Sequence, residues 1–116
     1  MGVIAKNIIP AKQLEVAGAT LGVLQYTANK CTTIIDKFTV TNTTVGAVTI
    51  TLYLLPTSTT VPADRYKIVD VRNLDAHECI ICNELIGHVL ESGGTIWGYA
   101  SAATSLTIRA SGREIS

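Results

Sequence analysis

Residues 32–55 read TTIIDKFTVTNTTVGAVTITLYLL. In the first half, Ile34, Phe38 and Val40 alternate with Lys37, Thr39 and Thr41. Side chains on a strand alternate between faces, so this run predicts one apolar and one polar face. The run Asn42-Thr43-Thr44-Val45-Gly46 carries turn residues. Beyond it, Val48, Ile50, Leu52 and Leu54 take one face, and Thr49, Thr51 and Tyr53 the other. The two runs predict a hairpin closed by Pro56. One residue disagrees with the pattern. Asp36 falls on the apolar face, which requires a sheet margin or a buried donor.

The same grammar extends in both directions. Threonine and the other β-branched residues dominate, and no window shows helical periodicity. Residues 66–71 and 78–85 predict short strands, separated by a turn at residues 73–76. Gly93-Gly94 marks a tight turn. After it, Ile96, Gly98 and Ala100 alternate with Trp97 and Tyr99. Leu106, Ile108 and Ala110 alternate with Thr107 and Arg109, and residues 111–114 predict a bend with a charged tail. The count is about eight short strands punctuated by turns. That predicts an all-β protein, a jelly-roll-like antiparallel β-sandwich, with residues 13–116 as a single domain.

Residues 1–12 precede that domain. Val3, Ile4, Ile8 and Ile9 are apolar, Lys6 interrupts them and Pro10 disfavours a central strand. Two readings stand: an edge strand of the domain's own sandwich, or an arm on a neighbouring subunit. The arm reading makes Val3, Ile4, Lys6, Ile8 and Ile9 partner-binding, and expects removal of residues 1–9 to leave the monomer folded. The polar loop at residues 57–64 is a further candidate contact site.

With 116 residues the chain fits one domain. Charged residues are 16%, below the roughly 25% usual for soluble domains. Such a surface, rich in Thr, Ser and small apolar groups, suits packing against other chains. The formal net charge is zero and no basic run could neutralise successive phosphates, so no nucleic-acid role is expected. No stretch reaches the ~18 apolar residues of a membrane span, and residues 1–9 do not read as a signal peptide.

The search for chemistry ends without an enzyme. Cys79-Ile80-Ile81-Cys82 has CxxC spacing, but on a strand the two thiols face opposite ways. Cys31, His77, Cys79 and Cys82 make a zinc set on paper only, since no second paired motif supports it. The three cysteines are expected as reduced core residues, His88 as a hydrogen-bonded structural residue, and no cofactor or metal is expected. The carboxylates are scattered, and no Gly-x-Ser-x-Gly elbow or Walker lysine is present. Trp97 and Tyr99 share a face, either as core or as partner-binding anchors, residue types favoured at interfaces.

Three stretches taken in order resemble small virion proteins of tailed bacteriophages and prophages. They are residues 33–43 (TIIDKFTVTNT) leading into 48–54, residues 87–96 (GHVLESGGTI), and residues 106–115 (LTIRASGREI) with Ala100-Ser101-Ala102 before them. The resemblance implies a structural protein of the virion, assembled in the host cytoplasm. Its expected role is capsid decoration, as a cement protein on the outer head shell. The implied partners are the major capsid protein or other virion proteins, and further copies of the chain, with a homotrimer favoured. Related modules serve in tails, baseplates and head-to-tail joints, where the expected ligand is a receptor or a glycan.

Overall fold

A computed structural model describes residues 2–16, 23–57, 59 and 61–116. Nine strands are described: β1 Val3–Gln13, β2 Val23–Thr27, β3 Thr32–Asn42, β4 Val48–Leu55, β5 Lys67–Leu74, β6 Cys79–Ile81, β7 Val89–Leu90, β8 Thr95–Ala100 and β9 Leu106–Ile115. A single 3-10 turn, Asp64–Tyr66, leads into β5. The strands form two sheets whose ladders are all antiparallel. One has the order β1-β9-β3-β6, with β7 also paired to β3; the other has the order β2-β8-β4-β5. The chain is thus the all-β sandwich that the alternating pattern predicts. Phe38, Val40, Ile50, Leu52, Ile96, Leu106 and Ile108 meet between the sheets, each fully buried. These are positions where the period-2 pattern placed the apolar face.

The predicted hairpin over residues 32–55 is corrected. β3 and β4 are not paired; they lie in different sheets. Asn42 stands at the crossing between them. Its side chain is fully buried, and its Nδ2 donates to the carbonyls of Gly46 (2.8 Å), Leu74 (3.2 Å) and Asp75 (3.1 Å). Its Oδ1 accepts from the Thr44 backbone N–H at 2.9 Å. Asn42 therefore turns the chain and ties the crossing to the end of β5. Both apolar faces then meet across the core, where a hairpin would have set them side by side.

The Asp36 conflict is resolved by a β-bulge. Ile35 pairs with Gly112 and Lys37 with Ser111, so Asp36 is an extra residue in β3. The bulge switches the faces: Ile35 is fully buried, Ile34 points outward half-buried, and Asp36 is exposed. The Asp36 carboxylate accepts from Arg113 Nε at 3.1 Å and Nη2 at 3.0 Å. A Cβ on Gly112 would press on the Ile34 carbonyl oxygen, so glycine is what allows β9 to close on β3 here. The expected bend at residues 111–114 is likewise corrected, because β9 runs straight through it to Ile115.

Residues 3–13 are a strand of the sandwich itself. β1 pairs with β9 and forms the edge of its sheet. Two bulges, between Lys6 and Ile9 and between Ile9 and Lys12, interrupt the ladder. The first lets two consecutive residues, Ile8 and Ile9, enter the core at 6% and 2% exposure. Removing residues 1–9 would take both isoleucines out of the core, which runs against the expectation that the truncated monomer stays folded. The predicted strand at residues 78–85 shrinks to Cys79–Ile81, followed by a turn and then by β7.

Candidate interaction surface

The outer edge of β1 is the first candidate. β9 covers one side of this strand, and no strand pairs with its other side among the described residues. Val3 and Ile4 are 62% and 61% exposed, the most exposed large apolar side chains of β1. A strand edge with free N–H and C=O groups and protruding apolar side chains is a template for strand addition. Of the five arm residues read as partner-binding, Val3 and Ile4 are thus available, whereas Ile8 and Ile9 are occupied by the chain's own core. Lys6 bonds Glu114 Oε1 at 3.3 Å and remains half exposed.

Glu114 anchors a network that ties this edge to the opposite sheet. The Tyr26 hydroxyl, on β2, donates to Glu114 Oε2 at 2.5 Å and lies 2.7 Å from Thr33 Oγ1 on β3. Cys31 Sγ is 3.6 Å from the same threonine oxygen. The Tyr26 hydrogen bond, followed by Lys6, holds the Glu114 carboxyl below the usual range, against the opposing effect of burial. Burial and the Glu114 carboxylate push the Tyr26 phenol upward. Sequence reading placed Glu114 in a charged tail and missed this network. Its only local trace is the alternation of Gly112, Glu114 and Ser116, which continues the inward face of β9.

Trp97 and Tyr99 stand on the outer face of the second sheet, half-buried, while Ile96, Gly98 and Ala100 face the core. The core alternative for the two rings is thereby corrected. Gly98 explains the division: a Cβ there would stand 2.6 Å from Leu52 Cδ2. Trp97 Nε1 donates to Thr95 Oγ1 at 2.9 Å, so its polar handle is already engaged. Tyr99 lies beside Tyr53, with ring centroids 6.4 Å apart.

The thiols and imidazoles do not converge. Cys79 is exposed, Cys31 and Cys82 are buried, and all three are free. Thr41 Oγ1 donates to Cys79 Sγ at 3.3 Å. Burial pushes the Cys82 thiol up to about 11, which keeps it protonated and unreactive at neutral pH. Among the described residues, no three His, Cys, Asp or Glu side chains gather as metal ligands. His88 is exposed, contrary to its expected structural role; its backbone, not its ring, bonds Ile35 and Leu85. His88 borders a cleft of about 370 Å³ with Leu54, Pro56, Val89 and Glu91, where the two sheets part. The polar loop near Pro62 is only partly described, since Ser58 and Thr60 lie outside the described residues. No helix among the described residues is long and apolar enough to cross a membrane.

No protein family, curated protein or solved structure matches the chain in the comparisons made with them.

Proposed function

We propose that this chain is a structural protein of a tailed-phage virion, a decoration subunit that binds the outer head shell and its own copies. The observation that carries the reading is the nesting of the strand pairs. β6 and β7 both lie along β3 and count as one broken strand, which leaves eight. Then the first strand pairs with the last (β1·β9), the second with the second-last (β2·β8), the third with β6 and β7, and β4 with β5. A long hairpin of four such nested pairs, with alternate pairs in alternate sheets, supports reading the sandwich as a jelly roll. Jelly rolls are common in viral capsid and lectin domains. Fold alone does not assign a role; the resemblance of residues 33–54 and 87–115 to phage virion proteins supplies the direction.

The exposed β1 edge supports assembly through strand contacts between subunits, and a closed ring of three satisfies one such edge per copy. Antibody labelling of purified phage particles from a host carrying the gene tests the assignment. Label over the head shell is expected. Label confined to the tail or the head-to-tail joint moves the protein to the adaptor role, and particles without label overturn the virion reading.

A receptor- or glycan-binding role at the tail is the second reading. The outward rings of Trp97 and Tyr99 favour it, since a sugar face stacks on such rings.

A further inference from the structure

On the outer face of the β1-β9-β3 sheet lies a hollow of about 220 Å³, lined by Asn7, Lys37, Thr39, Arg109 and Ser111. The strand register builds it. Lys37 stands opposite Ser111, and Thr39 opposite Arg109, across the β3–β9 ladder. This places the lysine and the arginine on adjacent diagonal positions of one face. Asn7 sits in the first bulge of β1, opposite Ser111, and closes the third side.

The charge in this hollow is unbalanced. Lys37 and Arg109 form no ion pair among the described residues, and no carboxylate lines the hollow. On the same face the acid nearest in sequence, Asp36, is engaged with Arg113 in three hydrogen bonds. Two neighbouring cations repel each other unless an anion stands between them. Around that position the hollow presents an ammonium, a guanidinium fork, a side-chain amide and a serine hydroxyl. All are donors, and the guanidinium suits a planar or tetrahedral oxyanion. Thr39 contributes shape, because its hydroxyl already donates to the Arg109 carbonyl at 3.3 Å.

We propose that this hollow binds a small oxyanion, the phosphate or carboxylate group of a free metabolite or of an acidic sugar. Its volume is below the roughly 300–1,000 Å³ of pockets that enclose whole drug-sized ligands. It therefore holds an anionic end group and leaves the rest of the ligand in solvent. The site lies on the outer face of the sheet, centred on β3 and β9 with Asn7 as its one β1 residue, and its argument does not depend on the assembly reading.

Titration of ¹⁵N-labelled protein at pH 7 tests the site, with sodium chloride replaced mole for mole in ionic strength by inorganic phosphate or, separately, by glucuronate. Saturable shifts confined to the amides around residues 7, 37, 39, 109 and 111 are expected from at least one anion. Saturation by phosphate alone assigns a phosphate group, and saturation by glucuronate assigns the carboxylate of an acidic sugar. The Lys37→Gln/Arg109→Gln variant, checked for an unchanged spectrum elsewhere, is expected to weaken binding at least tenfold. Shifts that are scattered, that grow linearly with both anions, or that persist in the variant overturn the proposal.

Discussion

Asn42 and Glu114 show how far one polar side chain can act. Asn42 is fully buried, and its amide reaches three carbonyls in two places in the chain, Gly46 and the adjacent pair Leu74 and Asp75. Removing it leaves the buried Leu74 carbonyl without this donor and unties the part-buried carbonyls of Gly46 and Asp75. Asn42→Ala is expected to cost on the order of 3 kcal/mol in urea unfolding, at the upper end of ordinary single substitutions. Glu114 acts through protons. Its folded carboxyl is held lower than in the unfolded chain, so the unfolded state binds the proton more readily. The stability it contributes is present above the unfolded value of roughly 4.3 and is lost as pH falls through the lower, folded value. Urea unfolding between pH 7 and pH 2 is expected to show a loss in the wild type below about pH 4 that is smaller in Glu114→Gln. Equal slopes for the two proteins would remove Glu114 from this role.

At the scale of elements, bulges decide what each strand presents. In β1 a bulge turns two consecutive isoleucines inward, leaving Val3 and Ile4 outside. Ile9→Ala deletes three buried carbons and is expected to cost about 2–5 kcal/mol in the same unfolding assay. Val3→Lys is expected to stay within about 0.5 kcal/mol, because most of that residue's surface is exposed in the monomer. A reversed order of the two effects would mean that β1 is not seated on β9. The bulge at Asp36 does comparable work in β3, placing Ile35 in the core and freeing Lys37 for the outer face. In β5, opposite β4, Asp70 and Val71 together face Thr51, and Val71 takes a positive φ of 47° that β-branched residues rarely adopt. Its N–H donates to Thr51 Oγ1 at 3.2 Å, which holds that conformation in place.

The whole molecule is an elongated sandwich, 46 × 28 × 19 Å in its principal extents. The β1 edge lies at one border of the first sheet and the oxyanion hollow on that sheet's outer face, while the aromatic pair stands on the outer face of the second. If subunits join through β1, the wild type is expected to sediment as a trimer, and the double variant Val3→Lys/Ile4→Lys as a monomer with an unchanged circular dichroism spectrum. A wild type that stays monomeric at every concentration tested would sink edge-mediated self-assembly. The near-zero net charge leaves little long-range repulsion between copies.

The residues themselves determined the class of fold and most of the core. Alternation is a local property, so Phe38, Val40, Ile50, Leu52, Ile96 and Ile108 were legible as inward positions, and Trp97 and Tyr99 as residues on the face opposite Ile96 and Ala100. What the tertiary structure alone decided was pairing and phase. Whether β3 meets β4 or crosses to the other sheet depends on carbonyls at residues 74 and 75 that Asn42 reaches only in the folded chain. Whether Ile34 or Ile35 faces the core depends on one extra residue measured against a partner strand more than seventy positions away. A one-residue slip exchanges the two faces of a strand, so the candidate sites on those faces could be placed only once the register was known.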